Sequence, residues 1–183
     1  FAKLGIAVAV PSYRVMPKNP HPAQIEDVAA AFAWVYRNIA RYGGDAGRIY
    51  VAGHSAGGHL VALLALDDTY LKKYDVPMSA IRGVASISGV YDVSKIQAFT
   101  AAGEDSPSPI AHVHPKAPPF LVAYCQWDYL ALPLQAREFT AALRKSFDAV
   151  DLLYDPGQGH ISEIIHVVQD DDPIAQAILK LIQ

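Results

Sequence analysis

Apolar positions along the chain follow two alternating rhythms. Short runs rich in β-branched residues, at 5–10, 48–52, 84–87, 120–124 and 150–154, read as strands. The first of them, Gly5-Ile6-Ala7-Val8-Ala9-Val10, is apolar throughout and closed by Pro11, a pattern that predicts a strand buried on both faces. Between the runs the apolar residues fall at helical spacing. Ile25, Val28, Ala29, Phe32, Val35, Tyr36 and Ile39 make one face of a helix. Glu26 and Asp27 in its first turn and Arg37 and Arg41 in its last complement the helix dipole, and Gly43-Gly44 permits a left-handed C-cap. Further helices are predicted over 55–66, over about 133–145 with Pro133 in the first turn, and from Asp172-Pro173 onward through Ile174, Ile178, Leu181 and Ile182. Alternating strands and helices imply right-handed crossovers and a mostly parallel sheet flanked by helices, so the fold class is α/β. Residues 92–118 carry no clear period and read as a loop excursion that caps whatever site exists.

Composition narrows the possibilities. Of 183 residues, 52% are hydrophobic and only 18% charged, enough apolar surface for a sizeable core and a single domain over 1–183. Fifteen Lys and Arg face 18 Asp and Glu, a net charge of −3 without a basic run, which argues against nucleic-acid binding. The apolar runs, 60–66 and 5–10 among them, fall well short of the roughly 18 residues that span a bilayer. Cys125 is the single cysteine, so neither a disulfide framework nor a cysteine-built zinc site is available.

The most specific signal is Gly53-His54-Ser55-Ala56-Gly57, set between a predicted strand and a predicted helix. That context makes the serine a candidate nucleophile on a strained turn, with Gly53 and Gly57, helped by Gly58, allowing close backbone approach. The Ala56 N–H at the helix start is then placed to meet a developing oxyanion. A serine hydroxyl is a poor nucleophile without a base and an orienting carboxylate. Asp128 follows the strand ending near Cys125, and His160 follows the strand ending near Tyr154, in Gly157-Gln158-Gly159-His160. Both then lie at the carboxyl edge of a parallel sheet, where the sites of such folds assemble. Asp155 and Asp151 are the alternatives to Asp128, and His166 the alternative to His160. His54 and His59 flank the serine and read as supporting or packing residues. His54, Tyr91, Trp127 and Tyr129 are candidates to line a substrate pocket, with core packing the competing role for the aromatics. His112 and His114 lack a partner cluster, so no metal site is expected; Cys125 reads as a small buried hydrophobe and Asp170-Asp171-Asp172 as a solvated helix start.

Val10-Pro11-Ser12-Tyr13-Arg14, Gly43-Gly44-Asp45, Arg48-Ile49, the serine segment through Leu60 and the Gly159-His160 turn together resemble the α/β-hydrolase superfamily. Within it they are similar to the carboxylesterase branch that includes feruloyl-esterase-like proteins and kynurenine formamidases. The resemblance covers essentially the whole chain, and the serine segment is its most specific part. It implies Ser55 as nucleophile, Asp128 as orienting acid, His160 as base and the Ala56 amide as one oxyanion donor. It implies no cofactor, and a small-molecule substrate: a carboxylic ester of a small or aromatic acid, with N-formylkynurenine as the alternative. A catalytically silent hydrolase-like module is the reading from another class. The superfamily also carries a His-Gly-Gly-Gly-type loop supplying further oxyanion amides, and no such run occurs in these residues. In its sheet order, another strand lies between those corresponding to residues 5–10 and 48–52. These residues are therefore expected to be the C-terminal portion of a hydrolase domain lacking its N-terminal strands. If they are complete, either those two strands pair directly or another chain covers the edge.

Overall fold

A computed structural model of the protein describes residues 1–95, 107–129 and 131–183. Among these, four strands form one sheet: β1 (Ile49–His54), β2 (Ile81–Ile87), β3 (Phe120–Trp127) and β4 (Val150–Gly159). All neighbours pair in parallel, in the order β1-β2-β3-β4. The helices are α1 (Ala23–Asn38), α2 (Ala56–Leu66), the short α3 (Thr69–Lys72), α4 (Leu132–Arg144), the short α5 (Ser162–His166) and α6 (Pro173–Ile182). No described helix is long and apolar enough to cross a membrane.

Strand side chains alternate between two cores, as the period of two requires. Val84, Phe120, Val122, Tyr124 and Val150 face a larger cluster with Ile25, Ala29 and Phe32 of α1, the apolar body of α2, and Ala136, Phe139 and Leu143 of α4. Ala85, Ile87, Leu121 and Ala123 face the other way, onto Ile174 and Ile178 of α6. Every residue of α2 from Gly58 to Leu66 is buried, the condition of a helix that is hydrophobic on all sides. Phe139 ties α4 into the core by stacking on Tyr91 (4.2 Å between centroids, 8° between planes) and meeting Phe120 edge-on at 5.8 Å.

Chain ends behave as their caps demand. Gly43 takes the left-handed conformation (φ 79°) where the α1 segment stops. Asp172 caps α6, its Oδ1 accepting the Ala175 N–H at 2.7 Å, so one member of the acidic run is a buried cap rather than a solvated charge. Arg14 grips Asp27 of α1 through Nε and a terminal nitrogen, at 2.8 and 2.7 Å. That paired guanidinium holds the Asp27 carboxyl down at about 2.

Two expectations are corrected. Residues 5–10 form no strand: they run as irregular chain, with Val8 58% and Val10 88% exposed. An apolar run becomes a buried strand only beside an edge that completes its ladder, and this one does not pair with β1. The last strand runs to Gly159 rather than Tyr154, because pairing with β3 resumes at Trp127 and Gly159 after a bulge beyond Cys125. That extension delivers His160 beside the end of β3.

Part of the expected cap at 92–118, residues 96–106, lies outside the described residues. Its flanks are ordered turns. Val93 N–H donates to Ser108 Oγ at 3.0 Å, and the buried His59 lies with Nε2 2.6 Å from the Pro107 carbonyl oxygen. His112 sits 3.8 Å from Asp67, whereas His114 Nδ1 accepts the Lys116 N–H at 3.1 Å, so each has local partners.

Removing the aromatic tie between α4 and the sheet is expected to be severe. Phe139→Ala should lower unfolding free energy by about 3–5 kcal/mol in urea titrations. A loss below about 1 kcal/mol would mean that the ring is not a core element.

Candidate active site

Ser55 is the sole residue between the end of β1 and the start of α2. It adopts φ 56° and ψ −117°, a conformation costly for a residue with a β-carbon. Its N–H donates to the Ile87 carbonyl at 2.9 Å, pinning the turn to β2. The reversal depends on absent side chains. A Cβ at Gly53 would lie 2.2 Å from the Gly57 oxygen, and one at Gly58 would lie 2.9 Å from the Ile87 oxygen. Gly57 itself is no steric requirement, since a Cβ there meets nothing within 4 Å. The sequence-based expectation therefore holds for Gly53 and Gly58 but not for Gly57. Ala56 opens α2, in the first turn, where amides lack helical partners.

The carboxyl ends of β3 and β4 bring the remaining groups alongside. His160 Nε2 lies 2.9 Å from Ser55 Oγ, and its Nδ1 lies 2.7 Å from Asp128 Oδ1. Because a carboxylate only accepts, Nδ1–H donates to Asp128, leaving Nε2 to accept the serine proton. Asp128 is itself held: Tyr129 N–H donates to Oδ1 at 2.9 Å and Ser88 Oγ–H to Oδ2 at 2.5 Å. The sequence reading did not single out Ser88. It stands just after β2 at positive φ (46°), and only the parallel register of β2 with β3 brings it to Asp128. Both imidazole and carboxylate are largely shielded from solvent. Neither alternative acid reaches this imidazole: Asp151 is exposed and pairs with Lys180 at 3.5 Å, and Asp155 is buried among carboxylates. His166 Nδ1 instead lies 2.8 Å from Gln158 Nε2.

Among the pocket candidates, Tyr129 places its ring 4.4 Å from that of His160 while remaining 64% exposed, and Trp127 stands at the end of β3, 69% exposed. His54 lies behind His160, ring centroids 4.5 Å apart. Tyr91 is no pocket residue. It is fully buried, its hydroxyl 2.8 Å from Ser86 Oγ, and burial pushes its phenol well above the usual range. Two shallow cavities of about 230 and 250 Å³ open near the amino ends of β2 and β3, away from Ser55, Asp128 and His160 at the sheet's other edge.

Buried acids crowd beneath the site. Burial, then the charges of Glu163 and Asp128, push the Cys125 thiol up to about 12, which keeps it protonated and unreactive. Burial also raises the Asp155 carboxyl, reinforced by Asp172 and Glu163. His54, His160 and Glu163 offer donor atoms within 4.8 Å of one another, as do Cys125, Asp128 and Glu163. In this arrangement both His160 nitrogens are committed to Ser55 and Asp128, and Cys125 holds its proton, so neither group presents a ready ligand set.

Residues 1–143 match the BD-FAE family. The chain is 37% identical over 155 residues to the esterase LipQ of Mycobacterium tuberculosis, covering 73% of this chain and 37% of that protein. It is 34% identical over 194 residues to the esterase LipC of the same organism, covering 91% and 47%. The chain thus spans less than half the length of these relatives. Among solved structures, the hyperthermophilic esterase from the archaeon Pyrobaculum calidifontis superposes with a TM-score of 0.74 at 23% identity, over 92% of this chain and 62% of that one. The likeness establishes a shared fold.

The two glycines of the serine turn separate in a simple experiment. Gly53→Ala should destabilise by about 1–3 kcal/mol or prevent folding, while Gly57→Ala should be neutral or stabilising. Thermal melts compare them directly; equal effects would contradict the close-approach account.

Proposed function

The chain belongs to the BD-FAE family, and from that premise we propose that it is a serine hydrolase cleaving carboxylic esters of small or aromatic acids through an acyl-enzyme. The observation that carries this reading is the continuous hydrogen-bonded run from Ser55 Oγ through His160 to Asp128. Ser55 Oγ attacks the ester carbonyl carbon while its proton passes to His160 Nε2. Asp128, fixed by Ser88 and the Tyr129 amide, holds the Nδ1–H tautomer and stabilises the imidazolium that forms. The tetrahedral oxyanion meets the Ala56 N–H at the amino end of α2, where the helix dipole favours negative charge. Collapse expels the alcohol, which takes its proton from His160. Water, deprotonated by His160, then releases the acid and restores Ser55.

Exposed Tyr129 beside the imidazole and exposed Trp127 at the end of β3 suit an apolar or aromatic group on the substrate. Cleavage of N-formylkynurenine uses the same acyl chemistry. Esters lead because the mycobacterial relatives are named esterases. A side-by-side assay of aryl esters and N-formylkynurenine separates the two.

Ser55→Ala should reduce hydrolysis of p-nitrophenyl acetate and butyrate to the uncatalysed background. Asp128→Asn should lower kcat by about 10⁴-fold, because it favours the wrong imidazole tautomer. Unchanged turnover in Ser55→Ala would overturn the proposal.

A further inference from the structure

One buried pair at the back of the site takes no part in the proton relay. Glu163, on α5, has no exposed side-chain surface, and its Oε1 lies 3.3 Å from His54 Nε2. Among the described residues neither Glu163 oxygen nor His54 Nε2 makes a well-formed hydrogen bond, not even to each other, and the Cys125 thiol is the other donor near the carboxylate. A carboxylate taken wholly out of water must find a donor, and the nearby imidazole nitrogen is one that can serve. The His54 ring in turn lies against the His160 ring, centroids 4.5 Å apart at 43°. The chain positions matter as much as the distances. His54 immediately precedes Ser55, and Glu163 follows His160 by three residues, so the contact ties the strand that presents the nucleophile to the helix that follows the base.

We propose that Glu163 and His54 are a positioning pair: the Glu163 carboxylate accepts the His54 Nε2 proton, and the ring so oriented holds the His160 imidazole at Ser55. The proposal rests on the triad reading above. The Glu163 carboxylate also lies behind the ring that must become imidazolium during the reaction, within 4.8 Å of a His160 nitrogen, so its charge complements that of the imidazolium.

Other groups face the same space. Asp128 bonds His160 Nδ1, and Tyr129 flanks its ring. Around Glu163 lie the Cys125 thiol, held at about 12, the Tyr91 phenol, also raised, and Asp155 with its neighbours Asp172 and His166. Cys125 and Tyr91 stay neutral through the range in which an imidazole titrates, so they do not obscure the effect of Glu163.

The test is a histidine-selective ¹⁵N NMR titration of the protein, which reads both tautomers and the protonation of each ring without requiring turnover. In the unaltered protein, neutral His54 should carry its proton on Nε2. Glu163→Gln, which keeps the shape but removes the charge, should lower the pH at which His160 takes up its second proton by about half a unit or more. Glu163→Asp should recover most of that shift. His54 with a bare Nε2 in the unaltered protein would overturn the proposal, as would a His160 titration unmoved in Glu163→Gln. Should that variant fail to fold, the His54 tautomer in the unaltered protein decides alone. Ester turnover measured on the same samples keeps the two readings apart. An inactive protein with the expected signals refutes hydrolysis and leaves the pair standing; an active one with unmoved signals does the reverse.

Discussion

At Ser55 the chain passes from strand to helix in a single residue, and the rest of the site depends on that turn being held. Positive φ at a serine costs on the order of 1–3 kcal/mol. What offsets it is the burial of α2, apolar from Leu60 to Leu66 and enclosed by α1 and the sheet. The turn is also squeezed from within, because Gly53 and Gly58 admit backbone at distances no β-carbon tolerates. A hydroxyl at the rim of the sheet and an amide at the head of α2 are products of one backbone geometry.

Parallel pairing supplies the other half of the arrangement. When all strands run in one direction, their carboxyl ends share an edge, so residues remote in sequence become neighbours without any long loop reaching across. Ser55 and His160 are 105 positions apart and 2.9 Å apart in space. The bulge beyond Cys125 and the extension of β4 to Gly159 set the last step, placing His160 level with Asp128. Ser88, at the end of β2, completes the row by holding the second carboxylate oxygen.

Much of this was legible in the sequence because its signals are local. The strand–serine–helix segment, the alternation of elements, the face of α1 and its glycine stop each depend on a handful of adjacent residues. Residues 5–10 form no strand for the complementary reason: an apolar run announces that it wants a partner, not that one lies beside it. Tyr91 follows a predicted strand end, which makes it a pocket candidate in the sequence, yet a hydrogen bond to Ser86 and stacking on Phe139 draw it into the core. Ser88 and Glu163 escaped notice because their roles arise from strand register and from a short helix packed behind the imidazole, neither of which has a sequence period. Asp172 sat in an acidic run that reads as solvated, although its cap on α6 buries it.

The central claim is that His160 and Asp128 make the Ser55 hydroxyl nucleophilic, and covalent capture tests it most directly. A fluorophosphonate probe followed by peptide mass mapping should place a single adduct on Ser55, and His160→Ala should slow its formation by orders of magnitude without unfolding the protein. A folded protein that stays unlabelled, or one labelled at Ser55 equally fast without the imidazole, would contradict the account.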